Sequence, residues 1–240
     1  EDSMSERSQK VYQQWATDPF FDEATHQELA AIKDDPAEIE ERFYQDLKFG
    51  TGGIRGILGA GTNRMNIYVI TQASEAFARY LDTLGDEAKE RGIAISYDCR
   101  NGSTEFAKRA AEVFAAHGYH VYLSDELRPT PMLSYMVRKL NCIGGVMVTA
   151  SHNPAKYNGY KAYGEDGGQL PPEAADHVMK EIENIKDITE LTWMDLDEGI
   201  EKGLIEIVGP KIDKMYNDYL MGLRLNPEAV EANKDMKIVF

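Results

Sequence analysis

Cysteine, histidine and positive charge are all scarce in this chain. Its 240 residues include two cysteines, Cys99 and Cys142, and five histidines. Each cysteine lies beside an expected strand and reads as a free, buried thiol in a reducing cytosol. His26, His117, His120, His152 and His177 form no His-x-x-x-His pair and join no cysteine in a zinc spacing, which argues against a protein-only transition-metal site. The 26 basic residues are outnumbered by 41 acidic ones, for a net charge of −15. That balance opposes non-specific attraction to nucleic-acid phosphates and excludes nucleic acid as an expected partner. Any site for an anionic ligand must therefore be built from a few locally placed cations, and Arg55 and Lys161 are the candidates.

Long apolar runs are missing as well. No stretch approaches the ~18 residues needed to span a bilayer, and no charged start followed by an apolar segment marks a secretory signal. A cytoplasmic protein with no membrane partner is the expectation. Residues 1–3, ahead of Met4, read as remnants of cloning. There is no internal repeat, low-complexity tract or heptad pattern, no Gly-Lys-Ser/Thr ending of an NTP-binding loop, and no Gly-x-Ser-x-Gly elbow of a serine hydrolase.

What is present is 42% hydrophobic residues, enough for one large domain and the start of another. The first ~45 residues read as a helical packing arm, with Asp35-Pro36-Ala37-Glu38 as a capped helix start. An amphipathic helix follows from Ile67 and closes at Gly85. Residues 92–97 read as a strand, Ser103 as the N-cap of a helix ending at Gly118, and 120–123 as another strand. Pro129 and Pro131 open a helix to Leu140, 142–148 read as a strand, 159–163 as a short strand, and Pro171-Pro172-Glu173 starts a helix to about Ile185. The fold class is α/β: a mixed, mostly parallel sheet flanked by helices, with ligands at the carboxyl ends of strands. Residues 1–205 form the first domain in this reading. Residues 206–240 begin a second α/β domain, with 237–240 a strand cut off at Phe240, so the natural chain is expected to continue.

A serine is delivered by the apolar run 143–148 into the polar loop Thr149-Ala150-Ser151-His152-Asn153-Pro154. This segment, continued by Ala155-Lys156-Tyr157-Asn158-Gly159-Tyr160-Lys161, resembles the phosphoserine loop of the α-D-phosphohexomutases. A second stretch, Phe49-Gly50-Thr51-Gly52-Gly53-Ile54-Arg55-Gly56, resembles the family's amino-terminal loop, and Gly59-Ala60-Gly61-Thr62-Asn63-Arg64-Met65-Asn66 extends it. The pairing points to the phosphoglucomutase and phosphopentomutase branch, and the resemblance corresponds to the first of the family's four domains plus the beginning of the second.

The resemblance implies an intramolecular phosphotransferase that interconverts glucose 1-phosphate and glucose 6-phosphate through phosphorylated Ser151, with glucose 1,6-bisphosphate as intermediate and a hexose phosphate as the substrate. It implies Mg²⁺ held by the Ser151 phosphate and by three aspartates expected beyond Phe240. Ser151, His152 and Lys161 become the catalytic set. Thr51, Arg55, Ser151, His152 and Lys161 become the phosphate- and substrate-binding set. For His152 the alternative is a loop histidine that orients the serine, and for Lys161 a solvated strand lysine whose pKa could move either way, down by desolvation or up beside an anion. Arg64, Arg100 and Arg128 read as structural, pairing with neighbours such as Asp98 or Asp125. A non-catalytic phosphosugar-binding module and a pentose-phosphate mutase are the alternative functions, and oligomeric state stays open.

Overall fold

The computed structural model describes residues 4–240; residues 1–3, read above as cloning remnants, lie outside the described residues. The chain opens with three short helices, α1 (Glu6–Thr17), α2 (Glu23–Ala30) and α3 (Pro36–Phe43). Each starts where a side-chain oxygen takes up an orphan backbone N–H: Ser5 from Ser8, Asp22 from Thr25, Asp35 from Glu38. The arm is fastened by aromatics. Trp15, 1% exposed, stacks on Phe21 at 4.5 Å and meets Phe43 and Tyr68 edge-on.

The main body then runs β1 (Gly53–Ile57), α4 (Ile67–Asp82), α5 (Ala88–Arg91), β2 (Ile93–Tyr97), α6 (Ser103–Ala116), β3 (Val121–Ser124), α7 (Thr130–Lys139), β4 (Gly144–Val148), β5 (Tyr157–Gly164), α8 (Pro172–Asn184), a 3-10 turn (Ile188–Glu190), α9 (Leu196–Glu201), β6 (Ile205–Val208), α10 (Pro210–Gly222) and α11 (Pro227–Ala232). One six-stranded sheet takes the order β1-β5-β4-β2-β3-β6. The pairs β4/β2, β2/β3 and β3/β6 are parallel, and β1/β5 and β5/β4 antiparallel. This is the mixed, mostly parallel α/β sheet expected.

β2 and β4 are buried along their whole length, as central strands covered on both faces must be. Alternate residues divide between two cores. Ile93, Ile95, Val146 and Val148 join the α4, α6 and α8 side chains, whereas Ala94 and Met147 join Met132, Leu133 and Met136 of α7 on the opposite face. The parallel strands β2, β3 and β4 end on one side of the sheet, and the loops after them lie together there.

Several expectations change in detail. The stretch around Arg55, read as a loop, is strand β1, and the short strand at 159–163 is the longer β5. Gly102, at φ +82°, and not Ser103, is the N-cap of α6; the Ser103 hydroxyl instead donates to Asp98 Oδ1 at 2.7 Å. The boundary expected at 205/206 falls inside β6, which is hydrogen-bonded to β3 as part of the same sheet. Residues 237–240 form no strand and are exposed, because an isolated strand without a ladder partner leaves its backbone groups to water. Cys142 is buried as expected and Cys99 is exposed, since it lies past the end of β2 in the loop.

Candidate active site

Ser151 lies just beyond β4, and two backbone facts define it. The first is that Thr149 N–H donates to Gly159 O at 3.1 Å, so the antiparallel ladder with β5 continues right up to the loop. A Cβ on Gly159 would collide with Thr149 O and Ile54 O, so only glycine permits this approach. The second is that Ser151 itself has φ +58°. For a residue with a Cβ this left-handed conformation costs roughly 1–2 kcal/mol, and the loop must hold it there. Thr149 Oγ1 accepts from Ser151 N–H at 2.9 Å, and Asn153 N–H donates to Ala150 O at 3.1 Å.

Asp98, at the end of β2, anchors the neighbouring loop. Its Oδ1 accepts from Arg100 N–H at 3.0 Å and from the Ser103 hydroxyl at 2.7 Å, and its Oδ2 lies 3.5 Å from Arg100 Nε. Beneath, the fully buried Asn158 donates to Asn101 O and Ser103 Oγ and accepts from Gly159 N–H. The serine loop and the Asp98 loop are thereby tied together.

Arg55 and Lys161 arrive on paired strands. In the β1/β5 register Arg55 faces Gly159 and Gly53 faces Lys161, which puts both side chains on one sheet face with a glycine opposite each. Arg55 Nη1 donates to Asn153 Oδ1 at 2.7 Å. A cleft of about 470 Å³ is lined by Thr51, Arg55, Thr149 and Lys161, with Lys48 and Gln169 beside them. Burial lowers the Lys161 pKa from its ordinary value, the Arg55 charge lowers it further, and Asp98 opposes both. Ser151 and the exposed His152 line a second cleft of about 660 Å³ with Arg100, Arg128 and Thr130. Thr149 lines both clefts.

The structure therefore brings the five site residues expected from sequence to one edge of the sheet, in two adjoining clefts: Ser151 with His152, and Thr51 with Arg55 and Lys161. Arg55 bridges them through Asn153. Among the described residues none of Lys48, Arg55 and Lys161 enters an ion pair, although Arg100 and Arg128 do. In a chain of net charge −15, three neighbouring cations without acidic partners are suited to an anion. Arg128 is held by Asp125 and Asp213 and Arg64 lies near Glu38 and Glu41, so both are structural in the sense expected.

Known proteins resemble this chain in sequence and in fold. Residues 46–189 match the family model described as phosphoglucomutase/phosphomannomutase, alpha/beta/alpha domain I. The chain belongs to the phosphoglucomutase/phosphomannomutase family. It is 38% identical over 206 residues to a phosphoglucomutase of Staphylococcus aureus (strain USA300), an alignment that covers 85% of this chain and 36% of that protein. In fold it is similar to a phosphoglucomutase/phosphomannomutase family protein from Burkholderia thailandensis, with a TM-score of 0.55 at 20% identity over 73% of this chain and 35% of the other. It is likewise similar to pp63/parafusin from Paramecium in its open form, with a TM-score of 0.56 at 18% identity over 75% and 36% of the two chains. The chain thus spans about a third of the length of the relatives it matches.

For a member of this family the metal needs a test on the residues at hand. Among the described residues no three His, Cys, Asp or Glu side chains converge into a metal-holding group. Asp98, the carboxylate that lines the Ser151 cleft, is already engaged by Arg100 and Ser103. The carboxylate set that the resemblance implies is not built from the described residues.

Arg100 pairs with Asp98 as expected, but sequence reasoning missed its bonds to the carbonyls of Ser151, Asn153, Pro154 and Tyr157. It also missed Asn153 as the partner of Arg55, and Lys48 and Gln169 as lining residues. The Arg100 contacts go to main-chain carbonyls, which leave no residue pattern to find. Lys48 had a signal: it adjoins the glycine-rich stretch at Gly50 and is a basic residue in a chain short of them.

Proposed function

We propose that this chain is the serine-loop portion of a phosphoglucomutase that interconverts glucose 1-phosphate and glucose 6-phosphate. The observation that carries the reading is the exposed Ser151, presented at the carboxyl end of β4 in a left-handed conformation, beside a cleft lined by the cations Arg55 and Lys161. The family match supports it.

In this reading Ser151 carries the phosphoryl group in the resting enzyme. The free 6-hydroxyl oxygen of glucose 1-phosphate attacks that phosphorus, the bond from phosphorus to Ser151 Oγ breaks, and glucose 1,6-bisphosphate forms. After the intermediate turns over, Ser151 Oγ attacks the other phosphorus and glucose 6-phosphate leaves. Such transfers are accelerated by positioning and by positive charge placed around the equatorial oxygens. Arg55 supplies a planar fork for two of those oxygens. Lys161, its pKa lowered by burial and by Arg55, is suited to hand over and take back the hydroxyl proton. His152 contacts the transferred group from the serine side, and Thr51 closes the other cleft. Among the described residues, a phosphorylated Ser151 would be the one to hold Mg²⁺, and the metal would supply charge neutralisation there.

The test is a coupled assay on the enzyme that carries this sequence, comparing wild type with Ser151→Ala. Turnover of glucose 1-phosphate that disappears in the variant, with phosphoserine found at position 151, supports the reading. Turnover retained by Ser151→Ala overturns it. The 240 residues by themselves are expected to show little turnover, because no carboxylate cage is formed among the described residues and the chain spans only about a third of the length of the relatives it matches.

A further inference from the structure

We propose that Arg100 is the positioning residue of the nucleophile: it fixes the backbone of Ser151 from the carbonyl side while Thr149 fixes it from the amide side. This rests on the assignment of Ser151 as the phosphoryl carrier. Two torsions place a side chain on its backbone, and each is set by one of the two peptide planes flanking the Cα. At Ser151 both planes are tethered. The amide plane is held by Ser151 N–H donating to Thr149 Oγ1 at 2.9 Å. The following plane is held by Arg100 Nη2 donating to Ser151 O at 2.8 Å.

Arg100 does not stop there. Its Nη2 also donates to Asn153 O at 2.6 Å, and its Nη1 to Pro154 O at 3.0 Å and to Tyr157 O at 3.2 Å. One guanidinium therefore gathers four carbonyls from the whole span between the serine and the first residue of β5. Its own orientation is set from behind by Asp98, through the 3.5 Å Nε contact and the 3.0 Å bond from Arg100 N–H. The side chain is only 13% exposed, so water does not replace these bonds without cost.

The chemistry requires a guanidinium. Five N–H donors fan out in one plane from a rigid fork, whereas a lysine ammonium offers three from a single point and reaches fewer of these carbonyls. A loop released from Arg100 is free to leave the left-handed conformation at Ser151, which no glycine there makes easy to re-enter. The hydroxyl would then sample positions out of line with the phosphoryl acceptor.

The test uses Arg100→Lys, with Asp98→Asn as a milder second variant that keeps the arginine but weakens its anchor. Hydrogen–deuterium exchange on the 240-residue chain reads the loop without reference to activity. The expected result is faster exchange confined to residues 149–158, larger in Arg100→Lys than in Asp98→Asn. Steady-state kinetics on the enzyme carrying this sequence should show kcat reduced on the order of 10²-fold in Arg100→Lys with the hexose phosphate KM little changed, as expected for a misplaced reacting atom. Unchanged exchange at 149–158 in both variants, or a KM effect with kcat intact, overturns the proposal. Should Arg100→Lys fail to fold, the Asp98→Asn exchange pattern decides. A wild-type enzyme inactive on hexose phosphates, with the loop still loosened in the variants, would remove the phosphoglucomutase reading and leave the positioning role standing.

Discussion

Arg55 and Asn153 are joined across 98 positions of sequence by a hydrogen bond of 2.7 Å from the guanidinium to the amide oxygen. The bond links strand β1 to the serine loop, and it occupies one edge of a fork that can grip phosphate oxygens in pairs. Replacing Arg55 with lysine keeps the charge and loses the fork. The expected outcome is a fall in kcat/KM for the hexose phosphate on the order of 10- to 100-fold, the worth of a charge-assisted hydrogen bond, with the thermal midpoint nearly unchanged because the contact is exposed. Steady-state kinetics paired with calorimetry checks both halves.

Ser151 gives a prediction in which stability and activity part company. Both Ser151→Ala and Ser151→Gly remove the hydroxyl and should abolish transfer. Only glycine relieves the φ of +58°, so Ser151→Gly should be the more stable of the two by about 1 kcal/mol. Denaturant midpoints measured side by side decide this; an alanine variant as stable as the glycine variant would show that the loop carries no strain at this residue.

Lys161 titrates below its ordinary value of 10.5, through burial first and Arg55 second. A lysine whose folded pKa is depressed binds fewer protons folded than unfolded between those two values, so stability rises with pH across that window. Below that window both states are protonated and the penalty is fully present. Lys161→Met should therefore stabilise the chain at neutral pH, and its advantage should shrink as pH climbs toward 10.5. Urea titrations across that range are the measurement, and an advantage that grows with pH would contradict the assignment.

The two thiols should behave as unlike groups. Burial pushes the Cys142 thiol up to about 12, and its side chain is packed under α7, whereas Cys99 is exposed and lines the Ser151 cleft. Thiol titration of the native chain should report one fast equivalent, rising to two in denaturant. Alkylation of Cys99 should also block the cleft, and a native chain that reacts at both positions would show that the α7 core opens readily.

How legible all this was in sequence depended on which groups make the contacts. The Ser151 loop was legible because an apolar run hands a hydroxyl to a polar turn. The βαβ order was legible because each strand is short, apolar and bounded by glycine or proline. β1 was read as a loop because Gly53 and Gly56 lower strand propensity. They are there because a Cβ on Gly53 would overlap Tyr160 O and one on Gly56 would press on Leu47, a packing demand invisible without the partner strand. β6 reads as the start of a second domain because a new strand-and-helix pattern begins there after an acidic stretch, and its ladder with β3 is a tertiary pairing that leaves no local mark. Residues 237–240 look like a strand by composition alone, and composition supplies no pairing partner.

The serine loop is also the connection of an antiparallel hairpin, running from Val148 at the end of β4 to Tyr157 at the start of β5. Its length is therefore under a constraint different from that on its residues. A residue added or removed between 148 and 157 that the loop does not take up in its own path offsets the β4/β5 pairing by one, and in a sheet one step turns every side chain over. Lys161 would then face the apolar layer that now receives Tyr160, and Tyr160 would stand in the cleft. Substitutions can be graded in this loop, whereas an insertion or deletion that reaches the ladder cannot: it exchanges the charge of the site for a phenol and buries the cation.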